Sequence, residues 1–217
     1  DLESFMKNIE RILTQDGAFV PEFPYLLHLV EKTAFDTIYL EHVSYFAVTP
    51  LSRFFKKFGL VITDIQENDY MGGSLRIYVQ KGTKESPKVG EYILKEKKAS
   101  IFLRDTYTHF MERVKKFKLN LLYSLYAEKR NNSLIIGIGA AAKGNTLLNY
   151  CKIDTSLLEF VTDSSPYKIG KFTPGSHIPI KPDEAITSSV THALILPWNI
   201  ADFLKEKLSP KFPNIEF

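Results

Sequence analysis

An α/β fold is predicted for this 217-residue chain by three observations. The apolar run Leu134–Ile138 enters the turn Gly137-Ile138-Gly139 and continues into an apolar segment with helical spacing, Leu147-Leu148-Asn149-Tyr150. Two β-type runs, Leu60–Ile65 and Ser74–Val79, flank the turn Met71-Gly72-Gly73. Helical periodicity is clear over Leu2–Leu13 and over residues 101–129, where Phe110, Val114, Phe117, Leu121 and Leu125 recur in steps of three and four.

The composition is that of an ordinary globular chain, with 44% hydrophobic and 24% charged residues. A net charge of +3 does not call for nucleic acid, and clusters such as Lys95, Lys97 and Lys98 read as solvated helix faces. One cysteine, Cys151, excludes an internal disulfide and a cysteine-rich zinc site, so no metal is expected in these residues. No signal peptide and no bilayer-length apolar run is present, which points to a cytoplasmic setting without membrane association. The chain opens on Asp1 rather than Met, directly in an amphipathic helix, so a fragment of a longer protein is expected.

In chain order, the first helix carries Leu2, Phe5, Ile9, Ile12 and Leu13 on one face. Ala18–Pro24 reads as a strand that proline ends, and a less regular segment follows it. Thr49-Pro50 reads as an N-cap with proline at N1, and Gly59 as the stop of that helix. Residues 82–130 form a helical linker: a Gly/Pro-broken stretch, a short helix over Val89–Lys97, and a long helix of about 40 Å at 1.5 Å per residue. The last part, 131–217, holds strands Leu134–Ile138, Leu157–Thr162 and His192–Leu196, with Asn199 capping a helix over Ile200–Leu208.

The glycine turn favours a phosphate, because free N–H groups at a helix N-terminus meet the positive end of the helix dipole. Gly137-x-Gly139-x-x-Ala142, with Asp163 ending the next strand, also fits a weak dinucleotide fingerprint, which keeps a small NAD-dependent oxidoreductase open as an alternative.

Longer strings carry a more specific signal. Tyr39-Leu40-Glu41-His42-Val43-Ser44-Tyr45-Phe46 and Gly72-Gly73-Ser74-Leu75-Arg76 resemble motifs of the sugar C-methyltransferases, enzymes that methylate a ring carbon of nucleotide-linked 4-keto deoxysugars. Leu40 stands where that family commonly has histidine. Ala142–Cys151, Val161–Gly170, Pro174–Ile180 and Pro197–Asn199 resemble the same family's C-terminal domain. The resemblance implies the second half of a class I methyltransferase sheet over 1–81, joined by the long helix to a small Rossmann-like nucleotide-sugar-binding domain over 131–217.

Methylating carbon beside a ketone requires removal of an α-proton and stabilisation of an enolate. By the resemblance, His42 is the candidate base, Tyr39 an alternative base or oxyanion donor, and Glu41 a positioning carboxylate. Lys143, Gly144 and Asn145 are candidates for the diphosphate, with Asp163, Ser165 and His177 at the same cleft. S-adenosylmethionine is the implied methyl donor, yet its binding loop is not in this sequence, and zinc is implied only for a region preceding it. A non-catalytic nucleotide-sugar-binding module is the second alternative. The sugar, the nucleotide, the ring carbon and the oligomeric state are left open.

Overall fold

The computed structural model describes residues 1–217 as a mixed α/β chain. It forms two compact units, one of Asp1–Ala34 with Val43–Met111, the other of Phe35–His42 with Glu112–Phe217. This division differs from the three segments drawn from the sequence. The stretch expected to be a linker is built into both units, because its apolar residues are core residues: Val89, Tyr92 and Ile101 belong to the core of the first. No helix is long and apolar enough to cross a membrane.

In the first unit, α1 (Leu2–Ile12) is capped by Asp1, whose Oδ1 accepts from Glu3 N at 3.0 Å. Its buried stripe is Met6 with partly buried Ile9 and Leu13, while Leu2, Phe5 and Ile12 are exposed. The strand expected over 18–24 is divided at Pro21 into β1 (Ala18–Phe19) and β2 (Glu22–Pro24). A short helix, α2 (Leu26–Glu31), replaces the irregular segment. After α3 (Val48–Lys56), the hairpin β3 (Leu60–Asn68) and β4 (Ser74–Lys81) forms as the sequence indicates. β4 is central, with β3 antiparallel on one side and β1 and β2 antiparallel on the other. Helix α4 (Pro87–Lys98) follows, capped by Ser86.

The cap of α3 departs from the expectation. Helix α3 begins one residue before Thr49, at Val48, and its N-cap, Ala47, has no side-chain acceptor. The acceptor comes from α4: fully buried Glu96 takes Val48 N at 2.6 Å, Thr49 N at 2.9 Å and the Tyr25 hydroxyl at 2.9 Å. A carboxylate at a helix N-terminus satisfies orphan amides and complements the dipole.

The second unit contains most of α5 (Arg104–Arg130), then β5 (Ile135–Ile138), α6 (Ala142–Cys151), β6 (Val161–Thr162), β7 (Ile180–Lys181), β8 (His192–Ile195) and α7 (Ala201–Leu208). The four strands are parallel in the order β7-β6-β5-β8. Chain order therefore reverses between β5 and β8, the place where open α/β sheets bind ligands beyond their strand ends. Of the strand expected over 157–162 only the last two residues pair; Leu157 and Leu158 lie buried in the preceding turn. Strand β7 lies in a segment that the sequence pattern did not mark.

Close packing, rather than phosphate contact, accounts for two of the glycines. A Cβ on Gly137 would lie 2.9 Å from Val161 Cγ2, and one on Gly144 only 2.6 Å from Leu196 Cβ. The second collision involves an atom fixed to the backbone, so α6 would have to lift off the sheet.

Two outcomes are expected from denaturant titrations. Glu96→Ala strands three donors and is expected to lower stability by about 3 kcal/mol, at roughly 1 kcal/mol or more for each orphaned group. Gly144→Ala is expected to lower it by about 1–3 kcal/mol through overpacking. An unchanged midpoint for either variant would contradict the corresponding contact.

Candidate functional site

The site is best built from the turn after β5. Gly139 adopts φ +83°, which a side chain rarely does, and Pro197 fills the space a Cβ would need. The turn is then locked from β6. Asp163 Oδ2 accepts from Ala140 N at 2.9 Å and from Lys168 Nζ at 3.1 Å, and its Oδ1 accepts from Ser165 N at 2.8 Å. Lys168 Nζ also donates to Ala140 O at 2.9 Å. Both oxygens of Asp163 thus serve the chain itself. In a dinucleotide site that acid takes a ribose hydroxyl, so its engagement here argues against the nicotinamide alternative.

Helix α6 leaves this turn without a side-chain cap. Its first residues form one wall of a cavity of about 750 Å³, within the range of small-molecule sites. The cavity is lined by Tyr39, Leu40 and Glu41 from the Phe35–His42 segment, by Ala140, Ala141, Ala142 and Asn145 from the turn and α6, and by Tyr167, Lys168, Lys171 and Phe172 from the loop between β6 and β7. Two sequence motifs about a hundred residues apart therefore share one cavity.

A buried polar cluster fixes the Phe35–His42 segment on this unit. Asp36, 2% exposed, accepts from Trp198 Nε1 at 2.8 Å. Lys143 Nζ donates to Asn199 Oδ1 at 2.6 Å and lies 5.0 Å from the Trp198 ring centroid. Burial raises the Asp36 carboxyl above the usual carboxylate range, against the opposing effects of Trp198 and Lys143. Burial likewise lowers the Lys143 ammonium, against the attraction of Asp36. Phe35 packs against Tyr150 and Phe117 with ring centroids 5.0 and 5.7 Å apart.

The residues singled out from the sequence separate accordingly. Tyr39, Glu41 and Asn145 line the cavity. His42 does not line it: its ring stacks on Tyr39, with centroids 4.2 Å apart, and its Nδ1 lies 2.7 Å from Thr37 O. A carbonyl acceptor at Nδ1 requires the proton there, which makes Nε2 the acceptor nitrogen of the neutral ring. Lys143 is 5% exposed and engaged by Asn199, and Gly144 is pressed against Leu196, so neither is presented to the cavity. Asn199, expected as a helix cap, is the partner of Lys143; α7 begins at Ala201 with no side-chain cap. Asp163 and Ser165 shape the turn. His177 is exposed at φ +52°, closing the turn Thr173–Ile178, and is not among the cavity-lining residues.

Sequence reasoning missed Asp36, Lys171, Tyr167 and Phe172. Tyr167 and Lys168 lie within the Val161–Gly170 string, whereas Asp36, Lys171 and Phe172 fall outside every string that carries the resemblance.

Comparison with known proteins decides the family. The family model described as the C-methyltransferase C-terminal domain matches residues 69–212. The chain belongs to this family. The C-methyltransferase NovU of Streptomyces niveus is 31% identical over 205 residues, which cover 93% of this chain and 49% of that protein. The chain thus spans about half the length of this curated C-methyltransferase. The family match contains the glycine turn, the β6–β7 loop and Trp198, whereas Tyr39, Glu41 and His42 lie outside it.

Two measurements test this geometry. Trp198 is the single tryptophan, so its emission reports on the Asp36 cluster. Asp36→Ala is expected to shift that emission to the red and to lower stability by about 1–3 kcal/mol, as for an unpaired buried group. Asp36→Asn keeps an acceptor without the buried charge and should stay near wild type. Equal emission in all three proteins would contradict the contact. Cys151 is fully buried and burial raises its thiol, an effect only partly offset by Lys118, so aromatic disulfides should label it only after unfolding. Rapid labelling of the native chain would contradict its placement.

Proposed function

We propose that this chain is the sugar-nucleotide-handling part of an S-adenosylmethionine-dependent C-methyltransferase, acting on a nucleotide-activated, dTDP-type 4-keto deoxysugar. The observation that carries the reading is the shared cavity. The Tyr39–Glu41 loop, of the type needed beside a ketone, and the glycine turn, of the type suited to a phosphate, line the same space. The parallel order β7-β6-β5-β8 supports a Rossmann-like second unit, and the β3–β4 hairpin supports a class I methyltransferase character for the first.

In this reading the sugar lies toward Tyr39 and Glu41. The α-proton leaves carbon as its electrons move to the ketone oxygen. Tyr39, through its hydroxyl, donates to the developing oxyanion or takes the proton. His42, stacked on the Tyr39 ring in the tautomer that places its acceptor at Nε2, is the second candidate base. Glu41 orients a sugar hydroxyl. When bound, S-adenosylmethionine supplies an electrophilic methyl group. The glycine turn does not fit that donor, because Asp163 is committed to Ala140, Ser165 and Lys168. No methyl-transfer step is therefore assigned to these residues.

Proton removal can be tested without the methyl donor. A dTDP-4-keto-6-deoxy sugar incubated with the chain in deuterium oxide should exchange the hydrogen beside the ketone. Loss of the general base should slow this exchange by about 10²-fold or more. If His42→Ala exchanges at the wild-type rate while Tyr39→Phe is slow, the base is Tyr39, and the reverse assigns His42. Absence of both binding and exchange would overturn the proposal.

A further inference from the structure

The diphosphate ligands expected from the sequence are largely spent elsewhere. Lys143 is held by Asn199 beside Trp198, and Gly144 seats α6 on Leu196. Among the cavity-lining residues two other cations remain, Lys168 and Lys171. Lys168 is already held by Asp163 and by Ala140 O. The Lys171 ammonium makes no hydrogen bond or ion pair with the chain. Its backbone, in contrast, is fixed: Lys171 N donates to Lys168 O at 3.0 Å, and Lys171 O accepts from Ile180 N at 2.8 Å. A lysine anchored at the backbone and uncommitted at its tip is suited to an anionic ligand.

The same loop leaves two large rings in solvent. Tyr167 is 83% exposed and Phe172 60% exposed, and both line the cavity. The Phe172 main chain pairs with Pro179, which fixes the base of its ring. Exposed aromatic faces beside a cation form a surface on which a nucleobase stacks while its phosphates meet the charge.

We infer that the β6–β7 loop is the nucleotide clamp of this cavity, with Lys171 binding the diphosphate and Phe172, with Tyr167, carrying the base. The inference rests on the nucleotide-sugar reading above and assigns that ligand's diphosphate end to residues other than Lys143 and Gly144. Asn145 and the uncapped first turn of α6 face the same space and contribute polar hydrogens to the anion.

Calorimetric titration of the full 217-residue chain with thymidine diphosphate and with thymidine separates the two contributions. Lys171→Met should weaken thymidine diphosphate about tenfold, as for a lost charge-assisted bond, and leave thymidine unchanged. Lys171→Arg should keep most of the affinity. Phe172→Ala should weaken both ligands about tenfold. If wild type binds thymidine diphosphate and Lys171→Met binds it equally well, the clamp is overturned while the nucleotide-sugar reading stands. If wild type does not bind thymidine diphosphate, both fall.

Discussion

The hydrogen bond from Trp198 Nε1 to Asp36 Oδ2 is the contact on which the site depends. It lies between residues separated by 162 positions, and it fastens the short Phe35–His42 segment to a unit otherwise made of residues beyond 111. Together with the Phe35 ring, packed on Tyr150 and Phe117, it holds Tyr39 and Glu41 in a fixed relation to the glycine turn. Its energetics are finely balanced. Burial disfavours the charge on Asp36 and on Lys143 alike, and their mutual attraction, the Trp198 and Asn199 bonds and the backbone amides of Asp36 and Thr37 offset part of that loss. Such a cluster contributes little net stability but penalises any arrangement that leaves one member unpaired, so it specifies one placement of the loop.

The two units solve the same problem by related means. In the first, buried Glu96 caps α3 from 48 residues away and ties Tyr25 to the same point. In the second, Asp163 closes the glycine turn from the end of β6. Each carboxylate takes up backbone amides that would otherwise be orphaned, and each reaches across the sequence to do so, Glu96 to Val48 and Thr49 and Asp163 to Ala140. The consequence for function is specific. The turn that by spacing invites a dinucleotide is closed against a ribose by the acid that would have bound it, and the cavity opens instead beside the first turn of α6.

Local chemistry was readable from the sequence, and long-range commitment was not. The β3–β4 hairpin, α4, α5 and the β5–turn–α6 unit follow from periodicity and from glycine placement, because each is decided by residues close in the chain. Tyr39, Glu41 and Asn145 also emerged from motif strings, and all three line the cavity. Thr49 failed as a cap because a stronger acceptor, Glu96, reaches the helix from α4. Lys143 looked like a phosphate ligand because it puts a point charge at a helix N-terminus; here it is buried against Asn199 and Trp198. Asp36, in an unremarkable stretch of sequence, gave no sign of its burial. Lys171 and Phe172 lie between the Val161–Gly170 and Pro174–Ile180 strings and carried no local signal; the fold of the β6–β7 loop places them at the cavity.

The central claim is that the Tyr39–Glu41 loop and the glycine turn form one binding site. Amide resonances observed during titration with a thymidine-diphosphate-linked 4-keto-6-deoxy sugar test it most directly. The amides of Leu40 and Glu41 should shift together with those of Ala141 and Ala142 and saturate at the same ligand concentration. Shifts confined to one of these two groups, or absent from both, would contradict the claim.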